Sequence, residues 1–373
     1  LFYHNEFRQG QTFHYDEDCL NLNIFSPAGD GPFPVLVFIH GGGFDSGANY
    51  DSAIDGAAYA RRGIVFVSIH YRVSIFGYLT HPDIREKYGR DGNFGLDDQF
   101  TALQWIKANI ADYKGNANNI TVMGQSAGAI SIQYLSLSPK CQGLYQRAIM
   151  LSGGGMFPKF ALPRPSENTH EYWEDLMATA GVSTLDELKV LDIKTIFTAI
   201  EELKSRRKDN TYNTMPVVDG YLISAPVDTL IDHPLPIDYM LGYTNNDMYA
   251  IIMGHISHKY AKTNHAHLYY FDIDAPGNDH NGAFHSSDLR YVFGTLNASH
   301  RPYDAEDTKV SEAMISYIVA FAKTGDPNTD HLPTWKPAGR HALHIKKPAS
   351  AIAMGPTNWF KLLHNTLTKG DPK

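Results

Sequence analysis

The chain has 373 residues, of which 43% are hydrophobic and 19% charged, and a formal net charge of −8. This composition suits a globular fold with a sizeable core and excludes a disordered chain. The acidic balance argues against a nucleic-acid partner or an anionic membrane surface, and two cysteines, Cys19 and Cys141, are too few for a disulfide scaffold.

In chain order, apolar runs bounded by glycine and proline predict buried strands at 34–40 (PVLVFIH) and 63–71 (GIVFVSIHY). A helix follows, with Leu96, Phe100, Leu103, Ile106 and Ile110 on one face and Asp97, Gln104 and Lys107 on the other. A strand at 120–123 leads into a helical pattern over 127–137, and a strand at 147–152 comes next. Residues 158–213 are nearly all helical in pattern (171–180, 184–191, 193–204) and read as an insertion over one end of the sheet. Strands at 239–243 and 268–273 and a helix at 306–323 complete the series. Unbroken apolar strands alternating with amphipathic helices predict an α/β fold, a mainly parallel sheet covered on both faces, in a single domain over 1–373.

Minor features carry less. The basic run 204–208 (KSRRK) reads as a solvated helix end. Both cysteines sit beside apolar stretches, so two reduced, buried thiols are expected, and a cytoplasmic location is the preferred one. No apolar run reaches 18 residues and no signal peptide is visible, so no membrane association is expected. The glycosylation sequons at Asn119 and Asn297 are of a kind that recurs by chance.

The sharpest signal is Gly124-Gln125-Ser126-Ala127-Gly128, directly after an apolar run and at the start of a helical pattern. A serine nucleophile must stand clear of the sheet on a tight strand-to-helix turn, and glycine two positions to either side avoids collisions there. G-x-S-x-G is expected about 0.1 times by chance in a chain this long. A flexible glycine turn is the bland alternative. A serine hydroxyl needs a base and a site for the developing oxyanion. His40-Gly41-Gly42-Gly43-Phe44, at the end of an earlier strand, offers a glycine loop whose N–H groups can approach a substrate oxygen. Alone it could equally be an anion-binding turn or a plain loop. Gly42 and Gly43, with the N–H of Ala127, are the expected oxyanion donors.

These motifs resemble those of the type B carboxylesterases, the family that includes the cholinesterases and many bacterial esterases. The resemblance runs through Glu17-Asp18-Cys19-Leu20-Asn21-Leu22-Asn23, the His40–Phe44 loop, Tyr71-Arg72-Val73 and Gly92-Asn93-Phe94-Gly95-Leu96-Asp97-Asp98-Gln99. It continues through Gly124–Gly128, Pro216-Val217-Val218-Asp219-Gly220 and Gly282-Ala283-Phe284-His285-Ser286-Ser287-Asp288-Leu289, and so spans residues 17 to about 325. It implies an α/β-hydrolase fold and hydrolysis of a small-molecule carboxylic ester through an acyl-enzyme, with no cofactor and no metal.

The resemblance also selects among 18 histidines. His285 matches the family's catalytic histidine, with His280 as the rival. Asp247 matches the position where most of the family carries glutamate, with Asp238 and Asp274 as weaker rivals. Ser152 matches a serine that supports the triad from behind, and Gln125 stands where cholinesterases carry glutamate, which weakens the case for a cationic choline ester. His255, His258, His265 and His267 are closely spaced but lack the carboxylates of a metal site. Phe44, Phe76 and Phe284 are candidate pocket walls. Relative to the family, segments before about residue 17 and near 254–255 are expected to be missing, since Asp247 and His285 are separated by only 38 residues. An amidase, thioesterase or deacetylase with the same triad is the alternative activity. A non-catalytic interaction module is argued against by the joint presence of Ser126, Asp247 and His285.

Overall fold

The computed structural model describes residues 2–8, 10–12, 15–154, 162–207, 213–247, 256, 259–261, 265–338 and 341–356. Its strands are β1 (Leu22–Phe25), β2 (Phe33–Ile39), β3 (Val65–Ile69), β4 (Gly115–Gln125) and β5 (Arg147–Leu151), then β6 (Asp238–Thr244), β7 (Ala266–Phe271), β8 (His341–Ile345) and β9 (Ala353–Pro356). They form one sheet in the order β1-β3-β2-β4-β5-β6-β7-β8-β9. From β3 to β8 neighbouring strands run parallel; β1 and β9 close the two edges antiparallel. Every apolar run expected to be a strand is one.

Successive residues of β2 face opposite sides, as the two-residue period of a strand requires. Val35, Val37 and Ile39 join one core with Leu103, Ile106 and Ile130. Leu36 and Phe38 join a second core on the other face, with Phe293, Ile318 and Phe321. A sheet buried on both faces explains why its strands read as continuous apolar runs. The strands the sequence reading missed, β1, β8 and β9, lie at or next to the edges. There Asn23, His341, His344 and Pro356 interrupt any apolar pattern.

The expected helices appear as Phe94–Asn109, Ala127–Ser136, His170–Thr179, Leu185–Lys189, Ile193–Arg207 and Ala305–Thr324. The last is bounded by legible chemistry, a capping box between Asp304 and Asp307 at its start and Gly325 at φ +86° at its end. The described part of the helical insertion packs on its own apolar cluster of Trp173, Leu176, Leu188, Ile196, Ile200 and Leu203, against Ile75 and Leu79. Residues 158–161 and 208–212 of that expected insertion lie outside the described residues, as do 254–255.

Two expectations need correction. The basic run is a helix end, but not merely a solvated one: Arg207 pairs with Asp175, and Arg206 donates to the Thr179 hydroxyl at 2.9 Å, tying two helices of the insertion together. Lys208 lies outside the described residues. Both cysteines are free, but only Cys141 is buried; Cys19 is half-buried ahead of the partly exposed edge strand β1. Among the described residues no helix is long and apolar enough to cross a membrane.

Candidate active site

The carboxyl ends of β2 and β4 lie side by side, with Ile39 in register with Gly124. This places the His40–Phe44 loop beside the turn that follows β4. Ser126 sits on that turn at φ 55° and ψ −122°, a conformation that costs a non-glycine residue on the order of 1–3 kcal/mol. Its own peptide groups hold it there: the N–H donates to the Leu151 carbonyl at 2.9 Å, and its carbonyl accepts from the Ile130 N–H at 2.9 Å. Glycines make the turn possible. A Cβ on Gly128 would collide with the Ile39 carbonyl oxygen, one on Gly124 with the Gly128 backbone, and one on Gly153 with the Ser126 carbonyl oxygen. Gly153 had no assigned purpose in the sequence; its need arises from β5, a neighbour only in space.

The Ser126 hydroxyl lies 2.9 Å from His285 Nε2, and His285 Nδ1 lies 3.2 Å from Asp247 Oδ2. The Asp247 carboxylate is fully buried, and the Thr244 hydroxyl donates to it at 3.4 Å. Only 13% of the His285 side chain is exposed. The rival residues are not in this line. Asp238 is at the far end of β6, beside Arg147 and His265. His267 is buried against Trp335, with burial pushing its pKa down to about 4. His255 and His258 lie outside the described residues.

Gly42 and Gly43 adopt φ +115° and +67°. The Gly42 carbonyl accepts from the N–H groups of Asp45 and Ser46, at 3.2 and 3.0 Å, which turns the loop back on itself. Among the described residues the N–H groups of Gly42 and Gly43 donate to no backbone carbonyl. Ala127 is the first residue of its helix, where an N–H has no partner within the helix. Behind the loop lies the ring of His40, a residue whose place in the motif carries no role of its own in the sequence. It is buried, stacked on Tyr71 at 4.3 Å, and its Nδ1 is 2.8 Å from the Gly41 carbonyl oxygen. Burial pushes its pKa down to about 3, so it is neutral at ordinary pH and its Nδ1–H can donate to that oxygen.

The two candidate supports differ. Gln125 Nε2 donates to the Ser286 hydroxyl at 2.6 Å and lies 3.3 Å from His285 Nε2. Ser152 is buried and held by its backbone, at φ +50° with its N–H on the Gly242 carbonyl, but its hydroxyl has no hydrogen-bond partner among the described residues. The support expected from the Ser152 side chain is therefore not made by a hydrogen bond. Asp288 is an addition. It is fully buried, accepts from the Tyr269 hydroxyl at 2.6 Å, and its pKa is raised to about 6 by burial, with the Asp247 charge adding to the rise. Of the proposed pocket walls, Phe44 and Phe284 are core residues, each at most 1% exposed. Phe76 lines a cleft of about 890 Å³ next to the helical insertion, whose lining includes neither Ser126 nor His285.

The model of the carboxylesterase family matches residues 3–262 and 249–357. The chain belongs to the carboxylesterase family. This carboxylesterase is 31% identical to the bile salt-activated lipase of Rattus norvegicus, over 91% of the chain and 71% of that protein. It is 29% identical to the para-nitrobenzyl esterase of Bacillus subtilis (strain 168), over 84% of the chain and 76% of that protein. A solved structure of a thermophilic PNB esterase superposes with a TM-score of 0.84 at 24% identity, covering 95% of this chain and 84% of that one. The fold is that of the α/β-hydrolases, and the carboxylesterase is a hydrolase of carboxylic esters.

Proposed function

We propose that this carboxylesterase works by two-step acyl transfer on Ser126, with His285 as base and Asp247 as its orienting acid. His285 Nε2 takes the Ser126 proton as the hydroxyl oxygen attacks the ester carbonyl. The N–H groups of Gly42, Gly43 and Ala127 bind the oxyanion; one such donor is typically worth about 10²–10³ in turnover. The alcohol leaves with the proton from His285, and water releases the acid by the same route. Asp247 keeps Nδ1 protonated, so that Nε2 faces Ser126 as an acceptor, and stabilises the imidazolium that forms.

The observation that carries this reading is the unbroken line Ser126 Oγ–His285 Nε2 (2.9 Å) and His285 Nδ1–Asp247 Oδ2 (3.2 Å). Neutral esters suit the site, because Gln125 brings no charge beside Ser126. The names of two relatives, a bile salt-activated lipase and a para-nitrobenzyl esterase, point to the same substrate class. The test is turnover of p-nitrophenyl esters with acyl chains of two to ten carbons, beside an anilide and a thioester, by the wild type and Ser126→Ala. Ester turnover that vanishes in Ser126→Ala is expected; equal turnover by both proteins refutes the assignment.

A further inference from the structure

Asp247 and His285 stand on different loops, and the residue before Asp247 ties the two together. The Asn246 N–H donates to the Ala283 carbonyl at 2.9 Å, and its Nδ2 donates to the Asn281 carbonyl at 3.2 Å. The two segments run parallel there, with Asn246 paired to Phe284, the residue before His285. Between the two accepting carbonyls lies Gly282 at φ +65°, a conformation that glycine adopts without strain. The histidine loop is anchored separately at its far end. Asn281 Nδ2 donates to Asp279 Oδ2 at 2.7 Å, and Asp279 pairs at 2.7 Å with the buried Arg301. Arg301 Nε in turn donates at 2.9 Å to Glu6, on the short N-terminal helix Phe2–Phe7. Asn246 therefore grips a loop that is already fixed beyond the point of contact.

The Asn246 side chain makes its contact against a penalty. Its Oδ1 is buried and accepts no hydrogen bond among the described residues, which an apolar side chain of similar size would avoid. The contact bears directly on the neighbouring carboxylate. Aspartate has a single methylene between main chain and carboxyl, the shortest reach of any carboxylate side chain, so its loop has to lie close to the imidazole. Even here Asp247 Oδ2 is 3.2 Å from His285 Nδ1, at the long end of the range for such a bond. A small separation of the two loops would break it.

We infer that Asn246 is a positioning residue of the reaction: it clamps the acid loop to the Asn281 and Ala283 carbonyls and so brings the short Asp247 carboxylate within hydrogen-bond reach of His285. The inference rests on Asp247 being the acid of the proposed mechanism. The backbone half of the clamp survives substitution at 246, so changing the side chain loosens the clamp without abolishing it.

The test measures kcat for p-nitrophenyl acetate with the full chain of the wild type, Asn246→Ala, Asp247→Glu and the double variant. Melting curves establish that each is folded at the assay temperature. Asn246→Ala is expected to lower kcat by roughly ten- to a hundred-fold, the scale of a misplacement near 1 Å. Asp247→Glu alone should also lower kcat, because the longer side chain overfills a gap set for aspartate. In the Asn246→Ala background the same change should instead raise kcat, by about five-fold over Asn246→Ala, since a longer carboxylate spans the widened gap. A residue that only stabilises the fold would not reverse the ranking of the two carboxylates. Wild-type kcat in Asn246→Ala, or an Asp247→Glu effect of equal size in both backgrounds, overturns the inference and leaves Asn246 a packing residue. Should Asn246→Ala not fold, Asn246→Ser serves with the same two readings. Failure of the underlying mechanism reads differently, as near-full turnover by Asp247→Asn.

Discussion

Ser126 and His285 meet at 2.9 Å, yet the two sides of that contact are built by different means. The serine is held by its own backbone: a strained turn, two peptide hydrogen bonds to its own N–H and carbonyl, and glycines where any Cβ would strike the main chain. The histidine stands on a loop held from outside, by Asp247, Gln125 through Ser286, and the aromatic edge of Tyr3. The serine's position is thus set by main-chain groups, its own and those at the ends of the neighbouring strands β2 and β5. The histidine's depends on side chains from separate segments of the chain.

The difference suggests experiments that separate the two sides. The largest effect falls on the contact itself. Ser126→Ala and His285→Ala should each lower kcat by on the order of 10⁴–10⁶ with little change in thermal stability, as checked by steady-state kinetics beside melting curves. Next, Asp247→Asn should cost about 10⁴ in kcat, because an amide can favour the wrong imidazole tautomer. Its fold should survive, and a loss under ten-fold would remove Asp247 from the triad.

On the serine side the damage should be structural. Gly128→Ala puts a methyl group against the Ile39 carbonyl and is expected to destabilise by about 3 kcal/mol, read from urea midpoints, while displacing Ser126. A stable and fully active Gly128→Ala would show that the turn is more pliant than its geometry implies.

The smallest expected effect is a pH dependence on the histidine side. The Asp288 pKa is raised from 3.8 to about 6 by burial, so the native state holds that proton more tightly than the unfolded chain does. The stability it confers is fully present below about pH 4 and is lost as pH rises through 6. Asp288→Asn removes the ionisation and should raise stability above pH 6, by at most about 3 kcal/mol on the scale of 1.36 kcal/mol per unit, with the gain fading below pH 4. Thermal melts at pH 4 and pH 8 read the two regimes; a gain of equal size at both would mean that ionisation is not the cause.

The same division explains what could be read from the sequence. The central strands and the Ser126 turn were legible because burial on both faces and a forced backbone conformation each demand particular residue types nearby. The edge strands β1, β8 and β9 were not, since a partly solvated strand has no need of an apolar run. His285 and Asp247 came only through family resemblance, because nothing local distinguishes one loop histidine from another among 18. The N-terminal helix was missed altogether: six residues with no clear periodicity become a helix only when Arg290 and Arg301, nearly 300 positions later, close on Glu6. His40 and Asp288 stand in the quoted motifs without a role for a related reason, as the burial that shifts their proton affinity comes from the fold. The Ser152 hydroxyl has no hydrogen-bond partner among the described residues, so a position that matches the family does not by itself bring a side-chain contact.

The central claim is that His285 activates Ser126 for attack. The measurement that addresses it most directly is labelling with a fluorophosphonate, followed by mapping of the modified peptide in the wild type and in His285→Ala. One adduct, on Ser126, formed at least a hundred times more slowly in His285→Ala, is the predicted result. An adduct on another serine, or an undiminished labelling rate without the imidazole, would contradict it.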